Sequence, residues 1–360
     1  MSFHDLGIPA SEATVSLKAY DLMHDVRTVS VPAASFLNPA LPGHEVLRLP
    51  AFAFLVENAA LGRRVMFDLG PRKDPENAVP SIAAAIQAGY MSMHVSRDIV
   101  EQLGDDGVDL NSINAVIWSH AHYDHTGDTS KFPASTELVF GGATSTATHE
   151  TDPTSHLKES DFAGRKSVPV DFDESTLVIG GLRAVDYFGD GSFYLLDAPG
   201  HLAGHICALA RVTPTSFVYL GGDACHHPGM LRPTASLHRH FPCPGALLAA
   251  TRTSVSAAHF APPGAGEFDL TARTTPLLDV AVGGFYAEPP QARASIAKMG
   301  DFDANEDVFV VLAHDSTLEE VVGPFPTFLN DWKAKGWKER VIWSFLDEGN
   351  PAFRFNEKTA

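Results

Sequence analysis

Seven consecutive residues, Ser119-His120-Ala121-His122-Tyr123-Asp124-His125, constrain this chain more than any other feature. Directly before them residues 115–118 (AVIW) form a short β-branched and aromatic run of the kind that makes a buried strand. In extended chain alternate side chains share a face, so His120, His122 and Asp124 can point the same way. His125 then turns in as the chain enters the Thr126-Gly127-Asp128 loop. Neutral imidazoles and a carboxylate are ligands that zinc accepts. The fold therefore has to open this strand end onto a site that can hold metal.

The rest of the chain repeats the pattern of a short apolar run ending in a chemically capable residue. Residues 51–58 and 64–69 read as a strand pair, and 137–140, 177–179, 182–188, 193–196, 206–212, 217–220, 308–312 and 341–345 read as further strands. Helical patterns cover 76–88 and 96–103, and a third is expected at 325–335. Strands and helices mix throughout, with hairpins as well as crossovers. That predicts an α/β fold of two mixed β-sheets packed face to face and flanked by helices, rather than a simple doubly wound sheet. Residues 225–305 are rich in Pro, Ala, His and Arg and poor in strand-like runs. They read as a helical and loop insertion, a cap over the site, within a single domain spanning 1–360.

The HxHxDH segment resembles the signature of the metallo-β-lactamase superfamily, and further elements follow in that family's order. Residues 197–205 (DAPGHLAGH) are similar to its PGHxxGH loop, Gly221-Gly222-Asp223 to its bridging aspartate, and Ala313-His314-Asp315 to its last histidine. Upstream, Phe67-Asp68-Leu69-Gly70 resembles the FDxG element, whose aspartate supports the site from behind. The resemblance implies an αβ/βα sandwich and two metal ions, Zn2+ by default, with Fe, Mn or Co fitting the same ligands. It implies that His120, His122 and His205 hold one ion, that Asp124, His125 and His314 hold the other, and that Asp223 bridges them. His205 is then the ligand of its loop and His201 is not. A hydroxide shared by the ions would attack a carbonyl, and Asp124 would pass a proton to the leaving group. Related lactonases commonly place a tyrosine three positions after the bridging aspartate. Here that position is His226, either an electrophilic or hydrogen-bonding group or a structural histidine.

The layout is most similar to the quorum-quenching N-acyl-homoserine lactonase branch. That implies a hydrolase opening a small cyclic ester or amide (a lactone, lactam or cyclic carbamate). The alternative is a glyoxalase-II-like thioesterase or another hydrolase of the fold, such as a phosphodiesterase. The 360 residues carry a formal charge of −18, which disfavours nucleic acid and anionic membrane as partners and suits a small neutral or apolar carbonyl substrate. Apolar residues of the insertion (Phe241, Leu247, Leu248, Phe260, Phe268, Leu270, Phe285 and Tyr286) are candidates for the substrate pocket. Three cysteines without a pairing pattern, no basic-then-apolar start and no run of 18 apolar residues point to a cytoplasmic protein. The lactonase branch also suggests a homodimer, although no interface residues stand out.

Overall fold

Alternation along the strands decides how the chain layers. In Phe52–Asn58 the side chains of Phe52, Phe54 and Val56 turn one way and Ala53 and Leu55 the other, and all five are buried. A strand buried on both faces needs a layer on each side. The computed structural model, which describes residues 2–24, 29–40, 45–93, 95–247, 276–347 and 350, shows what those layers are.

The first sheet has seven strands in the order Ser167–Val170, Glu137–Gly141, Ala115–Ile117, Arg63–Phe67, Phe52–Asn58, Ser16–Asp21 and Thr327–Phe328. Its first four strands pair in parallel and the remainder antiparallel. The second sheet has six, in the order Val178–Ile179, Leu182–Asp186, Phe193–Asp197, Ile206–Thr213, Ser216–Leu220 and Val308–Val311. All its pairs are antiparallel except the last. Leu17, Phe54, Val65 and Ile117 of the first sheet share one core with Leu195, Ala208, Val218 and Phe309 of the second. The outward residues Leu55, Met66 and Val116 join Ile82, Ile99 and Leu103 from helices Pro80–Gln87 and Ile99–Asp105. On the far side Leu209, Tyr219 and Val310 join Ile296, Met299 and Phe302 of helix Pro289–Asp303. The two mixed sheets are thus packed face to face between helices.

Parallel pairing also sets the place of the site. Phe67 lies opposite Ile117 and Leu220 opposite Val311, so each pair of strands ends together at one rim. The residues that follow (Asp68, Ser119 to His125, Gly221 to Asp223, and Leu312 to His314) therefore converge there, at the carboxyl ends of the strands.

Two expectations at the C-terminus fail. Where 325–335 reads as a helix, Thr327–Phe328 is an edge strand against Lys18 and Ala19. Phe325 precedes Pro326, which pushes it away from helical geometry. Where 341–345 reads as a strand, Trp337–Val341 is a helix followed by the 3-10 turn Ser344–Leu346. Ile342, Trp343 and Phe345 pack on Leu237 and Cys243, and a short apolar run buried that way carries no periodicity to separate helix from strand.

Within 225–305 the structure contains a 3-10 turn at Pro228–Met230, helix Ala235–His240, strand Asp279–Val280 and helix Pro289–Asp303, whereas residues 248–275 lie outside the described residues. Asp279–Val280 pairs with Leu37–Asn38, which ties this segment to the N-terminal lead, the residues ahead of strand Phe52–Asn58. The lead forms a further small sheet in which Val29–Pro32 sits between Val46–Leu49 and Ser92–Met93.

Candidate metal centre

The strand Ala115–Ile117 ends in a bend, and His122 then begins a single helical turn, Tyr123–Thr126. The ligand-type residues converge through this turn and not through strand alternation. Asp68, at φ 59° just past its own strand, braces the loop from behind. Its Oδ1 accepts the Ser119 N–H at 2.7 Å and its Oδ2 lies 2.8 Å from His125 Nδ1.

Each ring in the centre is oriented by what its outer nitrogen meets. His125 Nδ1 donates to the Asp68 carboxylate, His314 Nδ1 to the Pro50 carbonyl at 2.7 Å, and His120 Nδ1 lies 3.0 Å from Ser119 Oγ. A neutral imidazole carries one ring hydrogen, so with Nδ1 protonated each of these rings aims an Nε2 lone pair inward. Asp223 divides its two oxygens between them. Oδ1 lies 3.1 Å from His125 Nε2 and 3.2 Å from His314 Nε2, while Oδ2 lies 3.6 Å from His120 Nε2 and 3.4 Å from His201 Nε2. Asp124 Oδ2 is 3.3 Å from His314 Nε2.

The loop after Asp197 departs from expectation. His201 Nε2 lies 3.1 Å from His120 Nε2 and 2.9 Å from His122 Nδ1. His205 turns away. Its Nδ1 donates to the Ala198 carbonyl at 3.0 Å, and its Nε2 accepts the backbone N–H of Asp223, also at 3.0 Å. Both ring nitrogens of His205 are thereby spent, so it has no lone pair for a metal. The donors brought together are His120, His122, His201 and Asp223 in one group and Asp124, His125 and His314 in a second, with His226 near Asp223 and His314.

These groups suit a cation. One His201 nitrogen faces two imidazole nitrogens and a carboxylate oxygen, and a single ring hydrogen cannot serve all three. Asp223 Oδ1 is buried without a hydrogen-bond partner. Burial holds His122 down to about 4 and keeps His120 and His201 well below the usual imidazole range, which leaves neutral rings fit to ligate. Burial also opposes charge on His314 and His125, yet the facing carboxylates, Asp223 foremost, lift His314 to about 10 and His125 well above its usual value.

A model of the metallo-beta-lactamase superfamily matches residues 47–212. The gamma-lactamase FDB1 of Fusarium pseudograminearum (strain CS3096) is 38% identical over 358 residues, which cover 96% of this chain and 84% of that protein. The chain belongs to the metallo-β-lactamase superfamily. It is a metal-dependent hydrolase of the lactamase and lactonase type. A cytochrome P450 monooxygenase, mpaDE of Penicillium brevicompactum, is 41% identical over 357 residues, but the chain spans only 38% of that protein's length. Among solved structures, an N-acyl homoserine lactone hydrolase with N-hexanoyl-L-homoserine at its metal centre superposes with a TM-score of 0.55 at 17% identity, covering 88% of this chain and 100% of that one. That likeness is one of fold.

In this metallo-β-lactamase-superfamily chain the metal centre forms the floor of a cleft. Its walls are Val31, Phe36, Leu49, Ile82, Met91, Met93 and Phe285, with Tyr123 and His156 among them, above His122, Asp124, Asp223, His226 and His314. Among the described residues the wall comes from Val31, Phe36 and Leu49 of the N-terminal lead, from Ile82, Met91 and Met93 after it, and from Phe285 of the insertion. Of the insertion residues, Phe285 lines the cleft, Tyr286 bonds His226, and Phe241 and Leu247 pack in a separate cluster with Trp343. Leu248, Phe260, Phe268 and Leu270 lie outside the described residues. Nothing in the local pattern around Val31, Met91 or His156 marks them as cleft residues. His226 points Nε2 at Asp223 Oδ2 (3.0 Å), and its ring meets Phe36, whose other neighbour is Phe285 in a parallel stack. No helix among the described residues is long and apolar enough to cross a membrane.

Proposed function

We propose that the protein opens a small, neutral cyclic ester or amide, and that it uses two metal ions, zinc by default, to do so. The observation that carries this reading is the division of Asp223 between two histidine groups at the floor of an apolar-walled cleft. On this reading His120, His122 and His201 hold one ion, Asp124, His125 and His314 hold the other, and Asp223 bridges. Bound there, the ions supply Lewis acidity and lower the pKa of water to about 7, so that a nucleophile exists at neutral pH.

The chain's own groups do the rest. The cleft wall takes the apolar body of the substrate, excludes water and presents the carbonyl to the floor. His226, lying beside Asp223 and lining the cleft, donates a hydrogen bond to the carbonyl oxygen as charge builds there. Asp124 is the carboxylate with the more open side chain, 13% exposed against 3% for Asp223, so it can pass a proton to the ring oxygen or nitrogen that departs. Residues 225–305 act as a cap within a single domain, with Phe285 and Tyr286 as their contribution. Three buried cysteines, all free thiols, accord with a cytoplasmic setting.

The test is metal content together with turnover of a panel: γ-lactones with short and long tails, an aromatic lactam or cyclic carbamate, a glutathione thioester and a phosphodiester. Two metals per chain with ring opening is the expected result, and the preferred ring decides ester against amide. Turnover of the thioester or phosphodiester alone would overturn the substrate class while leaving the metal centre. Fewer than one metal and no turnover after zinc, manganese or iron is restored would overturn both.

A further inference from the structure

Tyr286 is carried to the metal centre by backbone hydrogen bonds on both sides. Phe285 N–H donates to the Ser35 carbonyl, Ala287 N–H to the His201 carbonyl and Glu288 N–H to the Gly200 carbonyl, each at 2.9 Å. Gly284 approaches the lead so closely that a Cβ there would meet the Ser35 carbonyl oxygen at 2.0 Å. The tyrosine is 3% exposed, stands edge-on to the His201 ring, and brings its hydroxyl to 2.8 Å from His226 Nδ1. The other group beside that hydroxyl is Met230 Sδ at 3.8 Å, a weak acceptor.

Two distances fix the hydrogen on His226. Its Nε2 lies 3.0 Å from Asp223 Oδ2, and an ionised carboxylate only accepts, so the hydrogen sits on Nε2. Nδ1 is then a buried lone pair that needs a donor, and the Tyr286 hydroxyl supplies it. The opposite tautomer would have a different consequence. Asp223, His226 and His314 place their donor atoms within 4.8 Å of one another, so an Nε2 lone pair would leave His226 free to ligate a metal there.

We propose that Tyr286 is a positioning residue: by donating to His226 Nδ1 it keeps Nε2–H as a donor facing the cleft and keeps His226 out of the metal's ligand set. This rests on the reading of His226 as the donor to the substrate carbonyl. With Nδ1 bonded, the one ring hydrogen stays on Nε2, where Asp223 Oδ2 and a carbonyl at the cleft floor can share it.

The test compares Tyr286→Phe, His226→Phe and the double variant in the full chain, metal-free and zinc-loaded. It reads zinc per chain, kcat and KM on whichever cyclic substrate the wild type turns over, and the 15N shifts of the imidazole nitrogens. Tyr286→Phe is expected to move the His226 nitrogens from an Nε2–H pattern toward a tautomer mixture in both forms. It should lower kcat roughly tenfold or more with KM and zinc content little changed, and add nothing to His226→Phe. Unchanged His226 shifts in Tyr286→Phe would overturn the proposal, as would losses that add in the double variant. Shifted His226 nitrogens together with wild-type turnover in His226→Phe would support tautomer control by Tyr286 and sink the carbonyl-donor role of His226 instead.

Discussion

His205 accepts the backbone N–H of Asp223 through Nε2 at 3.0 Å, so the histidine holds that aspartate in place without facing the other candidate ligands. The neighbouring histidine of the same loop, His201, presents Nε2 to His120 and His122. The two side chains should therefore fail differently. His201→Ala is expected to lower the metal bound per chain and to cost more affinity than the 10–100-fold typical of an outer-shell change. His205→Ala should leave the metal count unchanged and lower stability by about 1–3 kcal/mol, because a buried N–H loses its acceptor. Metal analysis and denaturant unfolding of the pair check this; normal metal content in His201→Ala would reverse the assignment.

Asp68 meets the candidate metal centre through one ring, that of His125. Its Oδ1 is engaged by Ser119 N–H, which leaves Oδ2 for His125 Nδ1. In Asp68→Asn the amide nitrogen falls on the His125 side and donates where the carboxylate accepted. His125 must then carry its hydrogen on Nε2, where it blocks ligation. Metal affinity should drop about 10–100-fold with the fold intact. Competition with a zinc chelator measures it, and equal affinity would show that Asp68 only shapes the loop.

Gly200 sets the direction of His201. Its φ is 131°, and a Cβ there would meet Ala292 N at 2.1 Å, backbone that cannot step aside. Gly200→Ala should lower both stability, by about 2 kcal/mol or more, and metal content. Gly104 is the control: it lies in helix Ile99–Asp105, and a Cβ added there would meet nothing within 4 Å, so Gly104→Ala should be stabilising by up to about 1 kcal/mol. Thermal melts of the two variants should move in opposite directions.

Asp161 provides a pH signature away from the metals. It is buried, accepts the Lys158 N–H at 2.8 Å, and desolvation lifts it from 3.8 to about 6 against that bond and the nearby Arg72. Between those values the native state holds a proton that the unfolded chain has lost. Stability from this group therefore falls as pH rises from about 4 to about 6, and stays low above. Asp161→Asn keeps an acceptor for Lys158 N–H without the charge. It should be more stable than wild type at pH 7 by on the order of 2 kcal/mol, and the gap should close below about pH 4. Parallel stability curves for the two proteins across that range would refute it.

What the sequence by itself determined is local. Each strand that leads to His120, Asp223 or His314 is a short apolar run, and the functional group stands three residues past its end. Strand period and burial make that legible without knowing which strands pair. The ligand types in HxHxDH and in the loops after 197, 220 and 311 point to metal on the same ground. Tertiary structure decided the rest. His201 and His205 differ by four positions and by nothing in residue type; the choice between them depends on where the Asp223 N–H and the Ala198 carbonyl lie once the second sheet has formed. Among the described residues, Val31, Leu49 and Met93 of the cleft wall are brought over the candidate metal site by the small N-terminal sheet. Tyr286 reaches His226 because its neighbours bond to Ser35 and His201. Such contacts join residues tens to hundreds of positions apart, and hydrophobic period, which reports only on the nearest turn or strand, does not encode them.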